Sequence, residues 1–202
     1  MSVDGPAELF GDGAETISQY VDILASRGID WGLVGPREGE RLWQRHVLNS
    51  IAAESLVPAG ASVVDVGSGA GLPGIPLAIR RPDVRMTLLE SLLRRASFLE
   101  LAVSELGLAD RVRVVRGRAE EHRETYGVVT CRAVAPLPRL ISWCLPLLAP
   151  SGRLVALKGS TAGDELADAR PLLQKHRLSA ELHEFPVPGT TESTWAIEVT
   201  RR

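Results

Sequence analysis

The chain has 202 residues, 45% of them hydrophobic, and a formal net charge of −2. This supports one substantial core, while the mildly acidic balance excludes a globally basic nucleic-acid glove. No apolar run reaches the roughly 18–20 residues of a membrane span. The acidic start, MSVDGPAELFGDG, lacks the basic-then-apolar layout of a secretion signal. Cys131 and Cys144 fit neither a zinc pattern nor a disulfide framework, so a reducing cytoplasm is the expected compartment. Apart from Lys158 and Lys175 the basic residues are all arginine, whose planar fork suits phosphates and base edges. Genomic base composition accounts for the same bias.

In chain order, Ile17, Tyr20, Val21 and Leu24 recur at three- and four-residue spacing and predict an amphipathic helix over 14–27. The turn-rich GIDWGLVGP follows. A second helix is predicted from Pro36 to about Leu56, with Leu42, Trp43, His46, Val47 and Ile51 on its buried side. From residue 62 the rhythm changes. Short β-branched runs at 62–66, 85–90, 111–115, 127–131 and 153–158 alternate with helical patterns near 74–80, 92–107, 137–148 and 163–176. Such alternation predicts an α/β fold, a doubly wound parallel sheet with helices on both faces. The tail breaks the pattern: SAELHEFPV and TWAIEVTRR, joined by PGTTES, read as a C-terminal antiparallel hairpin. That ending is unusual for dehydrogenases and expected of the class I, Rossmann-like methyltransferase sheet.

SVVDVGSGAGLPGIPLAI (62–79) sets a glycine-rich loop at the carboxyl end of the first strand, where open α/β sheets bind ligands. A triphosphate-gripping loop needs Lys-Ser/Thr after its last glycine, and Ile75-Pro76 follow Gly74 instead. Gly69, Gly71 and Gly74 match a dinucleotide fingerprint, but in poor register with the strand. Asp65, Gly67, Gly69 and Gly71 match the D-x-G-x-G-x-G of S-adenosylmethionine enzymes. That cofactor carries a cationic amino-acid end and a sulfonium, which an aspartate suits and a pyrophosphate does not. Glycines permit close backbone approach and positive φ. Asp65 is equally placed to cap the helix or stiffen the turn. Glu90, ending the second strand, is placed to accept ribose hydroxyls. GRAEE (117–121) is placed to line the adenine, and TCRAVAPL puts Arg132 at the mouth of the cleft. There Arg132 meets a cofactor carboxylate or an RNA phosphate, or else pairs with an acid such as Glu120.

DVGSGAGLPGIPLAI, LLESLLRRASFLE, GRAEE, CRAVAPLPRL and LVALKG resemble, in order and spacing, the small-subunit ribosomal RNA guanine-N7 methyltransferases, once called glucose-inhibited division protein B. The likeness spans essentially the whole chain. LWQRHVLNS is similar to the family's Arg-His-x-x-Asp-Ser signature, with Asn49 where Asp is commoner. The resemblance implies S-adenosyl-L-methionine contacts at Gly67, Leu72, Ala119, Glu120 and Arg132. The residues themselves add Asp65, Gly69 and Glu90. It further implies methylation at N7 of one guanosine in the 530 loop of 16S rRNA, within the small ribosomal subunit.

Guanine N7 has an in-plane lone pair and no proton, so no general base is expected, and orientation is the main device. No metal is expected. Cys131 as a nucleophile lacks a Pro-Cys partner and reads better as a small buried residue. For RNA, Arg37, Arg41 and Arg45 form one stripe on the second helix, or a solvated face paired with Glu38 and Glu40. Arg45, His46 and Lys158 are the candidate substrate contacts, with Arg94 and Arg95 extending the patch, although His46 also reads as a hydrogen-bonded packing residue. Trp31 and Trp43 are the aromatic residues placed for base stacking; Trp143 and Trp195 read as core. The expected division is a helical extension over 1–58, not independently folding, and a methyltransferase domain over 59–202. The expected state is a cytoplasmic monomer that does not bind membranes. Three rivals are a small-molecule methyltransferase with the N-terminal helices as lid, a ribosome-binding protein that keeps the cofactor fold without turnover, and a nicotinamide oxidoreductase, which the terminal hairpin and Asp65 both oppose.

Overall fold

In the computed structural model, described for residues 5–35, 38 and 41–202, short helices lead into one seven-stranded sheet. α1 (Pro6–Phe10) and α2 (Ala14–Ile23) are followed by a π-helical turn over Leu24–Gly28. A second π-helical stretch, Leu42–Leu48, runs into α3 (Asn49–Ile51) and a 3-10 turn at Glu54–Leu56. The predicted continuous helix over 36–56 is therefore broken where it is described, and its predicted residues Pro36, Arg37 and Glu40 lie outside the described residues. A physical reason for the π-helical geometry of 42–48 is visible. The Arg132 guanidinium donates to the carbonyls of Arg45 and His46 at 3.4 and 3.3 Å, and a side chain entering the ladder in this way displaces regular α-helical bonding.

The sheet strands are β1 (Ser62–Val66), β2 (Arg85–Glu90), β3 (Val112–Arg116), β4 (Tyr126–Arg132), β5 (Leu148–Lys158), β6 (Leu178–Pro186) and β7 (Ser193–Arg201). Their order is β3-β2-β1-β4-β5-β7-β6; β7 is antiparallel to β5 and to β6, and the other pairings are parallel. Four helices connect the parallel strands and the hairpin: α4 (Gly74–Arg80), α5 (Leu93–Glu105), α6 (Leu137–Cys144) and α7 (Ala162–Lys175). The predicted strands agree to within a residue or so, except β5. It starts five residues early because Tyr126 pairs with Leu148 and Val128 with Arg153, and the intervening Ala149–Gly152 bulge out.

Burial on both faces explains the β-branched runs. Val63, Met86, Leu88 and Val128 face one cluster with Ile75, Ile79 and Phe98 from α4 and α5. Val64, Leu89, Val129 and Leu154 face the other, with Leu137, Leu140 and Ile141 from α6. Ile17, Tyr20, Ile23 and Leu24 join the first cluster, so the N-terminal helices are packed into the same core as the sheet. Tyr20 is fully buried and its hydroxyl donates to the Ala70 carbonyl at 2.8 Å, tying α2 to the loop after β1. Among the described residues no helix is long and apolar enough to cross a membrane.

Tyr20→Phe leaves the buried Ala70 carbonyl without its donor, a loss of about 1–3 kcal/mol. Urea denaturation is expected to show a lower midpoint at unchanged slope. An unchanged midpoint would mean that the hydrogen bond does not hold the loop.

Candidate cofactor and substrate cleft

The loop after β1 is held by groups from three directions. Gly67 (φ 69°) opens the turn, and a Cβ there would stand 2.9 Å from Val134 Cγ2, so only glycine fits both the conformation and the space. Gly71 (φ 99°) is similarly confined, with a Cβ 3.1 Å from the Tyr20 hydroxyl. Glu90 is buried at the end of β2; its Oε2 accepts the Gly69 N–H at 3.0 Å and its Oε1 the Leu92 N–H at 2.9 Å. Each oxygen keeps a further lone pair, although Glu90 itself lines none of the cavities at the cleft.

Asp65 stands differently from expectation. It is fully buried, its Oδ2 accepts the N–H of Gly74 at the start of α4 (3.0 Å), and it lines none of the cavities at the cleft. Its role here is the helix-capping one that the sequence left open. Oδ1 has no protein partner, an orphaned acceptor directly beneath the loop. Burial raises the carboxyl to about 7, against the opposing pull of the Gly74 N–H and the Arg132 charge.

Three adjoining cavities occupy the carboxyl ends of the strands. One of about 270 Å³ is lined by Gly67–Ala70, Leu72, Arg95, Arg132 and His46, among others. A second, about 230 Å³, shares Gly67 with it and is lined by Leu89, Ser91, Ala119, Glu120 and Trp143. Trp143 packs against the second core cluster, as its spacing predicts, and also walls this cavity. Arg139 lies over its ring at 5.5 Å to the centroid. The third cavity, about 730 Å³, shares Arg132, Ala133, His46 and Glu38 with the first and is lined further by Arg45, Asn49, Lys158 and Glu165. Arg45, His46 and Lys158 do come together there.

Two of the cations lining the large cavity, Lys158 and Arg45, already have acidic partners. Lys158 Nζ lies 2.7 Å from Glu165 Oε2 and donates to the Ala135 carbonyl at 2.9 Å. Glu165 also accepts the Leu137 N–H at 2.9 Å, so this pair braces α6 against α7 rather than offering an open cation. Exposed Arg45 sits 3.5 Å from Glu38. Arg132, half-buried at the end of β4, bonds the N-terminal segment and not Glu120: besides the two carbonyls, its Nη2 donates to His46 Nδ1 at 2.9 Å. Ala133, at φ 54°, turns the chain sharply just after it, a strained conformation of the kind found at ligand sites.

Other candidates resolve simply. Trp43 packs on Phe10 and Trp31 on Phe98, each with centroids 5.9 Å apart, so neither is a free stacking platform. Arg41 is exposed, and Arg37 lies outside the described residues. Arg94 reaches the Asp30 carbonyl at 3.4 Å. Cys131 is buried and burial pushes its thiol well up, the opposite of an activated nucleophile. Far from the cleft, Glu198 is shared by His183 (3.0 Å) and Arg153 (2.7 Å), and the arginine disfavours a cation beside the Glu181–His183–Glu198 group.

A sheet of this order with one antiparallel strand in its hairpin, and a glycine loop after β1 facing an acid at the end of β2, is the architecture of class I methyltransferases. Solved structures agree on the fold: an O-methyltransferase of neocarzinostatin biosynthesis, NcsB1, superposes with a TM-score of 0.62 at 18% identity, covering 97% of this chain and 72% of that one. The profile of the rRNA small subunit methyltransferase G family (GidB) matches residues 13–188. Relatives named ribosomal RNA small subunit methyltransferase G include that of Salinispora arenicola, 50% identical over 202 residues (96% of this chain, 84% of the relative). That of Thermobifida fusca is 54% identical over 176 residues (86% and 74%). The chain belongs to the rRNA small subunit methyltransferase G family.

Because the Asp65 carboxyl titrates near 7 when folded and near 3.8 when unfolded, it costs nothing below the lower value and destabilises progressively as pH rises toward 7. Asp65→Asn is expected to flatten the fall in urea stability of the ligand-free protein between about pH 4 and pH 7. Parallel profiles for the two proteins would contradict the burial argument.

Proposed function

We propose that this chain transfers a methyl group from S-adenosyl-L-methionine to N7 of a guanosine in the 530 loop of 16S rRNA. The observation that carries this reading is the adjacency of the cavities: two small ones meet at Gly67, and the first opens through Arg132 and His46 into a cleft of about 730 Å³. The residues fit the cofactor. Gly67 and Gly69 offer bare backbone, Glu90 keeps lone pairs beside the loop for the ribose hydroxyls, and Ala119, Glu120 and Trp143 line the cavity suited to the adenine. Leu72 lines the amino-acid end, where Arg132 suits the carboxylate. Asp65 acts from beneath through the loop it caps, with Oδ1 as the acceptor left over.

When bound, the cofactor supplies an electrophilic methyl group on a sulfonium. The chain's own work is orientation and exclusion of water. N7 carries no proton, so no side chain has to accept one. Val134, lining both the adenine-side cavity and the large cleft, separates the two ligands' approaches. With Lys158 held by Glu165 and Arg45 beside Glu38, the described cleft offers little positive charge without an acidic partner beyond Arg132. That supports a structured particle, the small ribosomal subunit, as the substrate in place of naked RNA, whose affinity would rest on phosphate neutralisation. The protein acts as a monomer in the cytoplasm.

Borohydride–aniline cleavage cuts RNA at N7-methylguanosine. Small subunits from a strain lacking this gene, incubated with the protein and S-adenosylmethionine, are expected to gain one cut in the 530 loop. No cut, with cofactor binding intact, would overturn the assignment of atom and substrate. Equal rates on protein-free rRNA would overturn the preference for the particle.

A further inference from the structure

Arg132 stands where the cofactor-end cavity meets the substrate cleft, and three acceptors from the N-terminal segment engage it. The Arg45 and His46 carbonyls take Nη1 at 3.4 and 3.3 Å, and His46 Nδ1 takes Nη2 at 2.9 Å. A guanidinium has five N–H groups. These contacts leave the Nε–H and one Nη2–H, the side-on pair that grips a carboxylate bidentately. His46 can accept at Nδ1 only as the neutral tautomer protonated at Nε2, and Nε2 lies 3.1 Å from Glu38 Oε2. Glu38 thus selects the tautomer that Arg132 needs, as an outer carboxylate does for a ligating histidine.

We infer that His46 is a positioning residue for the cofactor: the chain Glu38–His46–Arg132 holds the guanidinium with its free edge presented to the carboxylate of S-adenosylmethionine, and protonation of His46 releases it. The inference rests on the proposed cofactor site and goes beyond it, since it ties the grip on the cofactor to a histidine in the N-terminal segment. It also accounts for the π-helical geometry of 42–48, where the Arg45 and His46 carbonyls accept from Arg132. The groups facing His46 act in opposite senses. Burial lowers its pKa first, the Arg132 charge adds to this, Glu38 opposes it, and Arg45 lowers it slightly. Lys158 and Glu165, across the cleft, neutralise one another. The neutral form therefore prevails at neutral pH and is lost only below the ordinary histidine value of 6.5.

The test is calorimetric affinity for S-adenosylhomocysteine as a function of pH, in the intact chain. Wild type is expected to bind with constant affinity above about pH 6.5 and to weaken below it. His46→Ala is expected to bind about tenfold more weakly at neutral pH, the loss of one hydrogen bond to a charged group. His46→Asn, whose amide oxygen stands in for Nδ1 but does not titrate, restores the affinity and removes the acid fall. Glu38→Gln removes the charge that opposes burial, so its fall moves to lower pH. The inference is overturned if wild type shows no acid weakening beyond that of His46→Asn, or if His46→Ala binds as wild type does. Absence of binding by wild type at every pH would instead overturn the cofactor site itself, and the inference with it.

Discussion

Everything at the cleft depends on keeping the loop after β1 open while no side chain fills it. Glycine supplies the shape at Gly67 and Gly71 but no rigidity, because a glycine segment loses the most conformational freedom on folding. Rigidity comes from outside the loop. Glu90 holds the Gly69 amide, Asp65 holds the Gly74 amide, and Tyr20 holds the Ala70 carbonyl. The first two are carboxylates at the ends of adjacent parallel strands, and the third is a phenol on a helix that precedes the sheet. A loop braced in this way presents bare backbone to a ligand without collapsing into its place.

The same logic makes the N-terminal helices part of the site. Tyr20 reaches the loop, and the segment around Arg45–Asn49 walls the large cleft and engages Arg132. The cavity beside the loop and the large cleft accordingly share a boundary made of Glu38, His46, Arg132 and Ala133, residues from the N-terminal segment and from the end of β4. Lys158 and Glu165 show the complementary economy: a cation that looks exposed in sequence is spent internally, joining β5 to the helices on the far face.

Much of the fold was legible because both faces of the sheet are buried, which writes β-branched runs separated by helical periods into the chain. Strand β1 and helix α4 fall at their predicted limits, and the hairpin ending is where the tail's alternation puts it. The start of β5 was hidden because Pro150 and Gly152 signal a turn, yet here they lie in a bulge within a paired strand. The second helix misled because an amphipathic pattern does not reveal a guanidinium arriving from β4. Of the site, the glycines, Glu90 and Arg132 could be singled out from motif and spacing. The burial of Asp65, the pairing of Lys158 and the places of Tyr20 and Trp143 depend on which elements meet in space, and local periodicity carries no such information.

The claim that one braced loop and one arginine join the two ligand regions is tested most directly by amide hydrogen exchange with and without S-adenosylhomocysteine. The expected result is slower exchange in three separated segments: 67–72 of the loop, 117–120 after β3, and 42–49 of the N-terminal segment. Slowing in the first two alone would leave the cofactor site standing and cut it from the N-terminal helices. Slowing elsewhere, with 67–72 unchanged, would contradict the account at its base.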